Sequence, residues 1–122
     1  MKYTTDDILN NETKELDISA FFPGAEEKVI MRMKRLSAKD QYHITACMRE
    51  RTFKGEQEYL NARKTVLLNG IVQDEDFPME KWDAATIDLL EENKSQFLDY
   101  LVSEISDFNR PLAEKKSENS DQ

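Results

Sequence analysis

The chain has 122 residues, of which 39% are hydrophobic and 34% charged, and acidic residues outnumber basic ones by 25 to 17. A chain of this length forms one domain around one core. The formal net charge of −8 disfavours direct binding to nucleic acid, because phosphate backbones are held mainly by basic side chains that displace counterions.

The sequence also bears on the compartment in which the protein works. It has no apolar run of the roughly 18 residues that would be needed to span a membrane, and its N-terminus lacks the apolar stretch of a signal peptide. The single cysteine, Cys47, excludes an internal disulfide and agrees with a reducing compartment. We therefore predict a cytoplasmic protein that does not contact membranes.

Two short runs near the N-terminus predict a β-hairpin. Residues 1–14 are mostly polar and predict a flexible arm. The run 16–22 follows, with apolar residues at every second position, and the run 29–33 repeats this alternation after Pro23-Gly24. Alternation with a period of two is typical of strands that bury one face, and a Pro-Gly turn between two such runs favours a hairpin. The alternating residues of the first run are Leu16, Ile18, Ala20 and Phe22.

The middle of the chain predicts two helices. Ser37, with Asp40 three residues later, resembles a capping box and predicts a helix to about Arg51. A second helix is predicted over about residues 56–72, because one set of its residues recurs at the spacing of a helical face. The members of that face are Tyr59, Ala62, Arg63, Val66, Leu67, Gly70 and Ile71.

The C-terminal half predicts a loop and then further helix. Residues 73–81 are acidic and contain a Phe-Pro pair, so they predict a loop. Asp83 stands where a helix N-cap would be, and the apolar residues of 84–108 follow one helical face. Asn93 and Gln96 interrupt that face, so both one helix and two helices agree with the pattern.

Together these elements predict an α+β fold in which an N-terminal β-hairpin precedes a bundle of three to four α-helices. We place the single domain at residues 15–110, after the flexible arm. Residues 111–122 are almost entirely polar, and such a composition cannot bury enough apolar area to offset the entropy lost on ordering. The sequence therefore predicts a disordered C-terminal tail.

No catalytic, cofactor or metal site is predicted. His43 is the only histidine and lies four residues before Cys47, but a Cys–His nucleophile also requires an orienting residue and an oxyanion hole. We interpret Cys47 as a small core residue. The acidic residues 74–76 resemble a fragment of a calcium loop that lacks the required glycine and distal glutamate, and three glycines in the whole chain leave no phosphate-binding loop.

Four residues are candidates for contact with a partner protein: Arg32, Lys34, Phe77 and Trp82. Arg32 and Lys34 alternate along a strand, so they form either its solvent-exposed face or a docking site for an acidic partner. Phe77 and Trp82 lie in or beside a polar loop, where a large aromatic side chain either folds back onto the core or remains available to a partner.

The order of features resembles the small tail assembly chaperones of long-tailed phages and of prophages in Gram-positive bacteria. The resemblance covers about residues 5–108. Its parts are the hairpin, the turn Arg35-Leu36-Ser37-Ala38-Lys39-Asp40, the apolar segment 66–72 and a helical stretch from Leu89-Leu90 to Ile105. It implies a protein without an active site that binds the long, helical tape-measure protein, keeps it soluble, and leaves before the tail is complete. It leaves self-association open.

Two other functions are weighed against this one. A phage structural adaptor or head–tail connector would share the size and charge of this chain, but it would form a stable oligomer that remains in the particle. A small enzyme would use Cys47 or a pair of carboxylates, and replacement of Cys47 by alanine would then abolish its activity without unfolding it.

Overall fold

The fold is known from a computed structural model, which describes residues 1–5, 13–41 and 55–109. Its elements are strand β1 (Thr13–Asp17), a 3-10 turn (Ser19–Phe21), strand β2 (Ile30–Lys34) and the helices α1 (Glu56–Asn69), α2 (Ala84–Asn93) and α3 (Ser95–Phe108). Residues 38–41 are also helical. The predicted α+β class, with a hairpin ahead of the helices, is confirmed.

Several predictions from sequence fall on residues that the structure does not describe. These concern most of the predicted arm, the part of the first helix after residue 41, and the tail 111–122. His43 and Cys47 also lie outside the described residues. Strand β1 begins at Thr13, inside the segment that was predicted to be an arm.

The first strand is shorter than the alternation predicts. β1 ends at Asp17, whose carboxylate accepts a hydrogen bond of 2.9 Å from the backbone N–H of Ser19. The Ser19 hydroxyl in turn accepts a bond of 2.8 Å from the backbone N–H of Val29. Such side-chain bonds to nearby backbone groups favour turns over strands, so the predicted strand over 18–22 is wrong. Ala20 is exposed there, while Phe22 is half-buried.

A short third segment completes the sheet. β1 and β2 pair in antiparallel register, and on its other side β2 pairs with residues 70–72. The backbone N–H of Lys34 donates to the carbonyl of Gly70 over 2.9 Å, and that of Val72 donates to the carbonyl of Arg32 over 2.8 Å. The second predicted helix therefore ends at Asn69, because the residues after it join the sheet. The side chains buried on the inner face are Leu16, Met31, Met33 and Ile71.

α3 packs against β2, and α1 and α2 pack against α3. α1 buries Ala62, Arg63, Val66 and Leu67, which are four members of the face that the sequence predicts. A Cβ atom at Gly70 would lie 2.8 Å from Cγ2 of Ile105 in α3, so the end of α1 packs on α3 more closely than any side chain would allow. α3 has the longest buried face of the three helices, from Phe97 to Phe108.

The C-terminal half contains two helices. Asp83 caps α2 as predicted, since its Oδ1 accepts a hydrogen bond of 2.8 Å from the backbone N–H of Thr86. The helical path breaks at Lys94, whose backbone angles are φ −142° and ψ 49°. α2 and α3 are therefore two helices separated by a break at Lys94, and not one continuous helix.

The residues that follow β2 are joined to the C-terminal end of α3. The Arg35 guanidinium donates to the carbonyl of Phe108 and lies 4.4 Å from the centre of the Phe108 ring. The backbone N–H of Leu36 donates to Oδ1 of Asn109 over 2.8 Å. The exit of β2 is thereby tied to the C-terminal end of α3.

Candidate functional site

An apolar cleft of about 660 Å³ opens between the 3-10 turn, the loop before α2 and the junction of α2 with α3. This volume lies within the range of sites that bind ligands or partner side chains. The residues that line the cleft are Ala20, Phe21, Phe22, Pro23, Met79, Leu90, Asn93, Lys94, Ser95, Gln96 and Phe97. We call this set the apolar cleft.

Aromatic rings form one wall of the apolar cleft. The 3-10 turn presents Phe21, whose ring centre lies 4.9 Å from that of Phe97 and 5.6 Å from that of Tyr100. Phe22 meets Phe97 edge to face at 6.5 Å. Tilted and edge-to-face ring pairs at these distances are attractive. They hold Phe21 in place although 39% of its surface remains exposed.

The opposite wall is the last turn of α2. Leu90 is half-buried in the apolar cleft, whereas the preceding residue, Leu89, points outwards with 61% of its surface exposed. The side-chain amide of Asn93 donates to the carbonyl of Leu89 over 2.9 Å. Because Leu89 and the lining residue Asn93 are one helical turn apart, the exposed leucine adds apolar surface next to Asn93 that a partner could cover.

Arg63 of α1 contacts residues on both sides of the junction between α2 and α3. Its guanidinium, only 4% exposed, lies 2.8 Å from Glu91 of α2 and 2.5 Å from Asp99 of α3. It also donates to the carbonyl of Ser95 over 3.1 Å and to the hydroxyl of Tyr59 over 3.3 Å. One side chain of α1 therefore fixes the two helices on both sides of the break.

The charge of Arg63 is stabilised where it lies. Burial by itself lowers the pKa of the guanidinium, but the hydrogen bond to Asp99 and the charge of Glu91 outweigh burial and the pKa is raised. The Arg63 guanidinium therefore keeps its positive charge and can pair with both carboxylates.

The structure places Arg32 and Lys34 on the outer face of β2. Arg32 forms an ion pair with Asp74 and stands opposite Glu15 of β1. The hydrogen bond to Asp74 raises the pKa of the Arg32 guanidinium and lowers that of the Asp74 carboxyl. Lys34 is exposed. Arg32 and Lys34 lie on the same face of β2, as their alternation in the sequence predicts. Arg32 faces acidic residues of its own chain.

Phe77 and Trp82 pack together on the core. Their ring centres lie 5.9 Å apart at an interplanar angle of 69°. Trp82 is only 5% exposed, and its indole N–H donates to the carbonyl of Leu67 over 2.8 Å. Trp82 is therefore not part of the exposed surface, whereas Lys34 is exposed.

Sequence reasoning missed the residues of the apolar cleft, although two pairs of neighbours pointed to it. Phe21-Phe22 and Leu89-Leu90 are adjacent apolar pairs. Adjacent residues on a strand point to opposite faces, and on a helix they point about 100° apart, so both members of a pair rarely reach the same core. In each pair here, one member is half-buried and the other is exposed.

Among the described residues, no group of three or more histidine, cysteine, aspartate or glutamate side chains is arranged so that it could hold a metal ion. The acidic residues 74–76 belong to the loop before α2, and Asp74 is paired with Arg32. Within the same residues, no helix has both the length and the apolar character needed to cross a membrane.

Comparison with protein-family models, with curated proteins and with solved structures finds no match for this chain. We therefore infer its function from the apolar cleft, the surface charge and the order of the elements.

Proposed function

We propose that this protein is a tail assembly chaperone that binds the tape-measure protein in the bacterial cytoplasm and keeps it soluble until the tail assembles. It acts by binding and not by catalysis. The observation that carries this proposal is the apolar cleft, whose lining includes the partly exposed Phe21, on a chain of which 34% of the residues are charged. The exposed Leu89 lies one helical turn before the lining residue Asn93.

A chaperone of this kind must hold its client and later release it. The apolar cleft suits that task because it is a local site with a few exposed apolar side chains, and not a broad face that would bind permanently. The net charge of −8 keeps the complex with an aggregation-prone client in solution through repulsion between complexes.

The order of the elements also supports the proposal. The resemblance to tail assembly chaperones involves a hairpin, the Arg35–Asp40 turn and the apolar segment 66–72, followed by C-terminal helix. In the structure, the turn leaves β2, the segment 66–72 ends α1 and joins the sheet, and α2 and α3 follow. The hairpin, the turn and the segment 66–72 each correspond to a part of the fold, whereas the helical stretch from Leu89 to Ile105 is divided into two helices at Lys94.

The test is co-expression of the tagged protein with a tape-measure protein, followed by measurement of the client that is soluble and co-purifies. We expect retention by the wild type and weaker retention by Leu89→Ser and Phe21→Ser. Loss of the apolar contact at Leu89 should weaken binding by about 1–2 kcal/mol, less than full burial of a leucine would give. Leu89→Ser should leave the fold intact because Leu89 is 61% exposed.

Tyr3→Ser is the matched control, because Tyr3 is a large exposed side chain, 78% accessible, that does not line the apolar cleft. Its complex with the client should be unchanged. Equal retention by Leu89→Ser, Phe21→Ser and Tyr3→Ser would show that the client binds elsewhere. Recovery of the protein as a stable ring in finished particles would instead indicate a structural adaptor.

A further inference from the structure

We infer that the segment recognised by the apolar cleft is a basic amphipathic helix, with apolar side chains in the cleft and lysines or arginines against the acidic surface around it. The inference rests on the proposed function, because it describes the part of the client that occupies the same site. It is argued from the distribution of charge and from the shape of the walls.

Negative charge is concentrated in the helical part of the protein. Residues 55–109 contain thirteen acidic and four basic residues, whereas residues 13–41 contain five acidic and six basic residues. The hairpin is therefore almost neutral, and nearly all of the excess negative charge of the described residues belongs to the part that forms most of the apolar cleft.

The few basic residues of the helical part do not neutralise it. Arg63 and Lys64 are held in ion pairs with carboxylates of α2 and α3, the second of them with Asp88 at 2.7 Å. Lys81 and Lys94 are the other two. A partner that approaches this part of the surface thus meets a net negative potential, which attracts basic segments and repels acidic ones.

Two exposed acidic residues are chain neighbours of residues that line the apolar cleft. Glu80 follows the lining residue Met79, and Glu92 precedes the lining residue Asn93, and both glutamates are exposed. Glu92 also lies three positions after Leu89, so the two are neighbours on the surface of α2. Lys94 is the one charged residue among those that line the cleft. Its positive charge repels basic side chains that come close to it.

The walls favour a helix over an extended strand. The lining residues come from a 3-10 turn, a loop and the ends of two helices, and none of them belongs to β1 or β2. A strand binds by pairing with a sheet edge, whereas an amphipathic helix inserts apolar side chains spaced at i, i+3, i+4 and i+7 into a groove. The apolar cleft provides the second kind of site.

The experiment measures binding of labelled peptides of about 18 residues, roughly five helical turns, by fluorescence anisotropy. One peptide has leucines at helical spacing and lysines elsewhere, the second has glutamates in place of the lysines, and the third is a scrambled form of the first. We expect the basic amphipathic peptide to bind at least about tenfold more tightly than the other two, and its Kd to rise with salt concentration.

Charge substitutions at exposed positions test which part of the surface attracts the basic peptide. Glu92→Lys should weaken binding of the basic peptide about two- to fivefold, and Lys94→Glu should strengthen it by a similar factor. Glu58→Lys, at an exposed position in the first turn of α1, changes the net charge as Glu92→Lys does and should have a smaller effect. Circular dichroism verifies that each variant is folded.

Equal binding of the acidic and basic peptides, or equal effects of Glu92→Lys and Glu58→Lys, would overturn the inference. So would a dimer of the protein alone that Leu89→Ser dissociates, because the occupant would then be a second copy of the chain. Retention of the tape-measure protein together with charge-independent peptide binding rejects this inference and leaves the proposed function in place. The expected peptide preference without retention of the tape-measure protein rejects the proposed function alone.

Discussion

Arg63 is a charged residue that lies on the buried face of a helix. Its position on that face follows from the spacing of its apolar neighbours, and the sequence predicts it. Its partners could not be predicted, because Glu91 and Asp99 are 28 and 36 residues away in the chain and reach Arg63 only after α2 and α3 have packed. A buried charge is tolerated when such partners satisfy it.

Replacement of Arg63 by methionine should lower the free energy of unfolding by about 2 kcal/mol or more. This is less than the roughly 3–5 kcal/mol typical of a fully buried pair, because Asp99 stays 50% exposed. Urea denaturation measures the change. Lys64→Met is the control, since Lys64 pairs with Asp88 near the surface and its loss should cost less than about 1 kcal/mol. Equal effects of the two substitutions would show that Arg63 has no special role.

Trp82 is a second residue whose role depends on a distant partner. Its indole N–H satisfies the carbonyl of Leu67, one of the last carbonyls of α1, which have no partner within the helix. Trp82→Phe keeps an aromatic ring but leaves that buried carbonyl unpaired, so we expect a loss of about 1–3 kcal/mol in the free energy of unfolding. Thermal denaturation followed by far-ultraviolet circular dichroism measures it. An unchanged stability would mean that water replaces the indole N–H.

At the scale of elements, local patterns predicted well where neighbouring residues decide the structure. The hairpin, the face of α1 and the N-cap at Asp83 follow from alternation, helical spacing and capping chemistry. The patterns failed where other hydrogen-bond partners compete with the predicted element. Residues 70–72 continue a helical spacing in the sequence, but they join the sheet because β2 offers them hydrogen-bond partners. The first strand ends early because Asp17 and Ser19 bond to backbone nearby.

The cap of α2 makes stability depend on pH. The backbone and side-chain hydrogen bonds from Thr86 hold the pKa of Asp83 below its ordinary value of 3.8. A carboxyl whose pKa is lowered by folding contributes stability above its unfolded pKa, and that contribution is lost as the pH falls through the lower, folded pKa. Asp83→Asn, which cannot titrate, should therefore differ most from the wild type near neutral pH and least in acid.

Chemical denaturation of both proteins between pH 7 and pH 2 tests this expectation about Asp83. The difference in the free energy of unfolding between wild type and variant should shrink as the pH falls below about 4. Asp17 and Asp74 also have lowered pKa values, so the stability of both proteins will fall in acid. Only the difference between them reports on Asp83, and a difference that grows towards low pH would contradict the assigned role.

At the scale of the whole molecule, the site could not be predicted because it is assembled from three separated segments. The apolar cleft combines residues 20–23, residue 79, residue 90 and residues 93–97, and nothing in any one segment indicates that the others lie beside it. From its acidic charge the sequence predicts a protein that binds other proteins, which remains a prediction. It predicts Arg32, Lys34, Phe77 and Trp82 as contact residues from their residue types; of these Lys34 is exposed and Trp82 is buried.

The tie between the exit of β2 and the end of α3 has a consequence for how fast the domain forms. Arg35 and Leu36 are joined to Phe108 and Asn109 across 73 residues, so the contacts that close the fold are among the most distant in the chain. Contacts of large sequence separation slow folding, because a long loop must be closed before they contribute. We therefore expect the helices to associate early through their local contacts, and the hairpin to dock in the rate-limiting step.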